Sequence, residues 1–175
     1  MKQIETFDYE VRKATREDIP AIIKTALIFW FTSGHGETKD QSPRNFRRLL
    51  EDYIDTPGCR CLIAVRDGEV IGYFIFYTHD DYKDRLDGEL YQFFIHPDYW
   101  GTEVGRELVG LGVQTFDDWG CSASHVCLAA DVGPKELSLV RNLFAKFGYE
   151  QTGIVMTRRV KDGRTESSRT NASTT

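Results

Sequence analysis

Gly101 and Gly105 lie just past a strand-like apolar run that His96-Pro97 stops, where a helical pattern begins at about residue 103. A glycine-bearing turn feeding a helix N-terminus aims several backbone N–H groups at one point, and the helix dipole favours negative charge there. The chemistry such a unit supports is the cradling of a pyrophosphate. The amides of Thr102, Glu103, Val104, Gly105 and Arg106 are the donors, and Gly101 and Gly105 allow close approach. The cysteines offer no comparable unit. Cys59, Cys61, Cys121 and Cys127 form no CxxC pair and have no histidine at ligand spacing, so neither a metal centre nor a disulfide framework is expected.

The elements that must position this turn follow from hydrophobic periodicity. Residues 9–14 read as a short strand, and Thr15 then caps a helix with Asp18 in its first turn. Ile19, Ile22, Ile23, Ala26, Leu27, Trp30 and Phe31 form that helix's apolar stripe. Ser42 caps a second helix, Pro43 sits in its first turn, and Phe46, Leu49, Leu50, Tyr53 and Ile54 make its buried face. Residues 61–65 and 70–77, joined through Asp67-Gly68, carry a hairpin signal. Tyr73, Ile75 and Tyr77 share one face of the second strand, and Phe74 and Phe76 the other, as expected for a strand covered on both sides.

A polar loop at 79–88 precedes a strand at 89–95, and a helix follows over about 103–118. Residues 125–130 read as another strand. A further helix opens at Pro134 or Lys135 and buries Leu137, Val140, Leu143, Phe144 and Phe147, with Gly148 as a left-handed stop. A last strand spans about 153–160. The order β-α-α-β-β-β-α-β-α-β implies an α/β fold with a mixed, mostly antiparallel central sheet and helices on both faces. Residues 1–160 are expected to form a single domain, and the polar tail 161–175 to be disordered.

Composition narrows the function. The chain has 175 residues and a formal net charge of −5, which argues against general attraction to nucleic acid or to an anionic membrane. Arg44, Arg47 and Arg48 could form a local basic patch or a solvated helix face. No apolar run approaches a membrane span, and no signal h-region follows Met1, so a cytoplasmic protein with reduced thiols is expected.

Four segments in this order resemble the GNAT N-acetyltransferases. Val11-Arg-Lys-Ala-Thr-Arg-Glu-Asp-Ile-Pro20 is similar to the family's first strand and helix start, and Ala64-Val-Arg-Asp-Gly-Glu-Val-Ile-Gly72 to its second hairpin. Ile95-His-Pro-Asp-Tyr-Trp-Gly-Thr-Glu-Val-Gly-Arg-Glu-Leu108 resembles the acetyl-CoA signature, and Leu143-Phe-Ala-Lys-Phe-Gly-Tyr149 the closing helix. The resemblance implies transfer of an acetyl or short acyl group from acetyl-CoA to a primary amine of a small molecule or peptide, without a metal. Trp100 and the 101–106 turn would hold the pyrophosphate. The backbone of Phe93, Phe94 and Ile95 would pair with the pantetheine arm, on a strand that splays from its neighbour. Dimers are frequent in the family, so a homodimer is compatible with it.

Direct attack needs a deprotonated amine, and a positioned carboxylate or histidine serves as base. Glu89 resembles the family's base position, the alternative being a solvated strand-end glutamate. Asp131 is a second candidate or a loop cap. His96 reads as structural. Trp30 and His35 are the acceptor-contact candidates, with core and exposed-loop readings respectively as alternatives. Three positions depart from the family pattern. Glu103 replaces a glycine and brings a carboxylate near a polyanion; Phe144 replaces the tyrosine that protonates the leaving thiolate; Leu137 replaces an asparagine. These departures keep a non-catalytic acyl-CoA-binding or protein-interaction module as the alternative.

Overall fold

The computed structural model describes residues 8–32, 42–80, 85–127 and 134–152. Strand β1 (Glu10–Lys13) leads through Thr15 into a short 3-10 turn and helix α1 (Ile19–Thr32). The Asp18 carboxylate fixes that entry. It accepts from the Thr15 N–H at 2.8 Å and from both terminal nitrogens of Arg12 at 2.7 and 2.8 Å, which holds its pKa down at about 2. Helix α2 (Pro43–Asp55) starts after Ser42, which holds the N-cap position without a side-chain capping bond, has Pro43 in its first turn, buries Phe46, Leu50 and Ile54, and leaves Arg44, Arg47 and Arg48 exposed.

Strands β2 (Cys59–Arg66) and β3 (Glu69–Asp80) form the hairpin, whose turn holds Asp67 at φ 50° and Gly68 at φ 79°. Both central residues have positive φ, as a two-residue hairpin turn demands. Strand β4 (Leu86–Ile95), helix α3 (Glu103–Asp118), strand β5 (Ala123–His125) and helix α4 (Pro134–Ala145) complete the described elements. The sheet order is β1-β2-β3-β4-β5, antiparallel except for the parallel β4/β5 pair.

Two cores flank the sheet. Tyr73, Ile75 and Phe94 pack under α1 and α2 with Ile22, Ala26, Trp30, Phe46 and Leu50. Phe74, Phe76 and Ile95 pack with Val104, Leu108, Phe116 and Phe144 from α3 and α4. The alternation along β3 thus falls as its sequence predicts.

Two expected elements differ. The polar loop expected at 79–88 is shorter, because β3 runs on to Asp80 and β4 begins at Leu86, with His79 paired to Asp87 and Asp80 to Leu86. The fifth strand is described at Ala123–His125, two residues earlier than expected, and Val126 and Cys127 lie outside it; the rest of the expected strand, residues 128–130, lies outside the described residues. The expected strand at 153–160 and the tail at 161–175 lie outside the described residues. Among the described residues, no helix is long and apolar enough to cross a membrane.

Candidate functional site

The site begins where β4 leaves β5. Their parallel ladder pairs Asp87, Gly88 and Glu89 with Ala123, Ser124 and His125, and ends there. Opposite, β4 remains paired with β3 as far as Ile95, but Ile75 faces Gln92 while Phe76 faces Leu90. Tyr91 is therefore an extra residue, a β-bulge that bends its strand and increases the local twist. Beyond Glu89 the outer edge of β4 pairs with no strand among the described residues.

That edge presents specific atoms. His96 N–H bonds Ile71 O at 2.8 Å on the β3 side, so the Ile95 carbonyl on the same peptide plane points outward. Alternation then turns the N–H of Ile95 and both polar groups of Phe93 outward as well. Phe94 faces the other way: its backbone turns to β3 and its ring packs on Phe29 at 5.3 Å and Tyr73 at 5.9 Å. Of the three residues expected to meet the pantetheine arm, Phe93 and Ile95 thus present backbone to the open edge. Trp100 closes the end of that edge, its indole N–H donating to Ile95 O at 2.8 Å.

The turn into α3 follows directly. Gly101 has φ 80°, a left-handed conformation that side chains rarely adopt, and open space surrounds its missing Cβ. Thr102 is the N-cap residue, yet its hydroxyl donates back to Tyr99 O at 2.7 Å rather than capping the helix. The first-turn amides, from Glu103 to Arg106, consequently have no side-chain cap. Gly105 also has a packing role. A Cβ there would lie 3.2 Å from Leu143 Cδ2 and 3.8 Å from both Ile95 Cγ1 and Phe93 Cζ, so the glycine lets α3 sit close on β4 and α4. Glu103 is paired with Arg106 at 2.9 Å, both half-exposed, which offsets the carboxylate's charge at the start of α3. Tyr9 bonds the Glu107 carboxylate one turn on, and burial with that contact pushes its pKa up to about 12.

Glu89 projects from the face that α1 and α2 cover, directly across from Tyr77. Tyr53 of α2 packs edge-on to Tyr77 at 5.9 Å and tilted against Tyr91 at 5.7 Å, and His79 lies 6.0 Å from Tyr77. Burial first, then the nearby Cys59, Tyr77, Tyr91 and Glu89, push the Tyr53 pKa up to about 12. One row along, buried Asp87 lies 3.4 Å from His125 Nε2 and 3.8 Å from Arg85.

Of the remaining candidates, His96 accepts from the Asp98 N–H at 3.3 Å and caps the 3-10 turn, its structural reading. Trp30 is 6% exposed with its ring edge against Phe46 at 5.4 Å, which is the core reading rather than an acceptor contact. Phe144 is buried against Phe93 and Tyr149, and Leu143 packs beside Gly105. His35 and Asp131 lie outside the described residues. Asp87 and His125, 38 positions apart, carry no signal in the sequence, whereas Tyr53, expected on the buried face of α2, does pack against that core while also meeting Tyr77 and Tyr91. The period-2 pattern did place Tyr77 correctly, and only the bulge brings Tyr91 to it.

Comparisons with known proteins give the family and the fold. The sequence profile of the acetyltransferase (GNAT) family matches residues 24–149, and the chain belongs to that family. An uncharacterised N-acetyltransferase of Mycobacterium tuberculosis is 28% identical over 102 residues, a match covering 58% of this chain and 60% of the relative. The chain thus spans about three-fifths of the length of the curated relatives it matches. Among solved structures, the aminoglycoside acetyltransferase AAC(6')-Iy in complex with a CoA-containing bisubstrate analogue superposes with a TM-score of 0.70 at 15% identity. That superposition covers 89% of this chain and 99% of the other. A ribosomal-protein-alanine N-acetyltransferase from Brucella melitensis gives 0.65 at 13% identity, covering 88% and 100%. At these identities the likeness is one of fold.

Proposed function

We propose that this chain transfers an acetyl or short acyl group from acetyl-CoA to a primary amine by direct attack. The observation that carries the reading is the open outer edge of β4, which runs from the last β4/β5 pair at Glu89–His125 to the uncapped N-terminus of α3. An extended pantetheine arm would add to that edge as a strand does, using the outward groups of Phe93 and Ile95. The pyrophosphate would meet the α3 amides, and Arg106 would add charge. Backbone N–H groups on the edge would receive the developing oxyanion.

Glu89 would take the proton from the attacking amine, directly or through water, as the N–C bond forms and the C–S bond breaks to release the CoA thiolate. With Phe144 in the buried position of the usual phenol, no hydroxyl acid stands on α4 at that point, and the thiolate would leave as the anion. The test is release of free CoA thiol against a panel of amines over a pH series, alongside calorimetric acetyl-CoA binding. Amine-dependent release that rises with pH supports the transferase. Binding without release at any pH would favour a non-catalytic acyl-CoA-binding module, the reading that Phe144 favours.

A further inference from the structure

The face of the sheet around Glu89 carries more aromatic surface than a proton carrier requires. Tyr53, Tyr77 and Tyr91 come from α2, β3 and β4, and the Tyr53 ring centroid lies 5.9 Å from that of Tyr77 and 5.7 Å from that of Tyr91. Tyr91 is 49% exposed, unusual for a large ring beside a core, and the bulge is what delivers it to this face. Gln92, next along, has a buried side-chain oxygen with no hydrogen-bond donor among the described residues. Glu89 stands directly opposite Tyr77.

Neutral phenol rings beside a carboxylate attract cations, because the ring faces are electron-rich and the carboxylate deepens the local potential. Tyr53 stays a neutral phenol at ordinary pH, its pKa lying at about 12. Yet the amine that attacks must itself be uncharged. The cation held by the rings is therefore a different group from the one that reacts.

We propose that Tyr53, Tyr77 and Tyr91 form a cation subsite, and that the acceptor is a diamine or polyamine whose second ammonium rests there while its first amine reacts beside Glu89. This rests on the reading of Glu89's face as the acceptor side. Tyr91 lies two residues from Glu89, roughly 6 Å along the strand. A linker of about four methylenes spans that distance.

The test is calorimetric titration of the full chain with 1,4-diaminobutane and with n-butylamine, each with and without saturating CoA. The diamine should bind about tenfold more tightly than the monoamine. Tyr91→Ala should erase most of that preference, while Tyr91→Phe, which keeps the ring face, should hold it to within about twofold. Equal affinity for the two amines, no heat from either, or unchanged diamine affinity in Tyr91→Ala would overturn the subsite. So would tighter binding of 2-phenylethylamine than of the diamine, which would mean that the rings stack on an aromatic acceptor. None of these readouts needs acetyl transfer. A chain that binds the diamine but releases no thiol would keep the subsite and sink the transferase reading.

Discussion

The Asp87 carboxylate sits buried in the sheet with one oxygen 3.4 Å from His125 Nε2, while its other oxygen has no hydrogen-bond partner among the described residues. The contact ties β5 to β4 at the point where the two strands separate. Removing either partner should strain the same place, so a double-mutant cycle of Asp87→Asn and His125→Gln should give a coupling of about 0.5–2 kcal/mol in urea denaturation. Additive effects would show that Arg85, at 3.8 Å, holds the carboxylate alone.

Glu89→Gln should lower turnover by about 10²-fold while leaving acetyl-CoA affinity nearly unchanged, because the amide keeps the shape and loses the base. Initial rates of thiol release and calorimetric binding check the two halves separately. Full activity in the variant would keep the enzyme and discard this base, leaving Asp131 as the next candidate.

Glu103 and Arg106 pair across one turn of α3 at 2.9 Å. Glu103→Gln should release the guanidinium and remove a charge that repels the pyrophosphate, tightening acetyl-CoA binding several-fold, a gain on the order of 1 kcal/mol. The gain should shrink as salt is raised. Weaker binding in the variant would mean that the carboxylate holds Arg106 in its useful position.

Asp18 gives a stability prediction with a definite sign. Its bonds with Arg12 and Thr15 hold the folded-state pKa at about 2, below the ordinary value near 3.9. The stabilisation is then fully present above about pH 4 and is lost as pH falls toward 2. Asp18→Asn should therefore destabilise the chain clearly at pH 6 and much less near pH 2.5, as read by denaturant midpoints. An equal loss at both pH values would assign the effect to the backbone cap rather than to the ion pair.

The parts of this molecule that local pattern can specify are visible in the residues themselves. The Asp67-Gly68 turn, the Ser42-Pro43 helix start and the two faces of Tyr73–Tyr77 follow from backbone preference and period, and each occurs where expected. The position of the turn into α3 is equally plain. Its glycines are not: Gly101 serves conformation, whereas Gly105 serves the close approach of Leu143, and the sequence marks both alike. Tyr91 carries no local sign that it is the extra residue, because a bulge is a relation between two strands. Trp100 is 44% exposed and spends its indole N–H on a strand carbonyl, a bond that no spacing in the sequence announces. Pairing across 38 positions, as in Asp87 and His125, has no period to betray it.

The bulge has a consequence for how this strand can change length. On either side of Tyr91 the pairing with β3 is in step, Gln92 against Ile75 and Leu90 against Phe76. Losing one residue elsewhere in β4 would turn a block of side chains over, sending Phe93 or Glu89 to the wrong face. Losing Tyr91 itself would leave every remaining pair as it is and only flatten the strand. A deletion there would thus keep both faces of the sheet and take away only the ring beside Tyr53, so descent could withdraw that contact in one codon without rebuilding the domain beneath it.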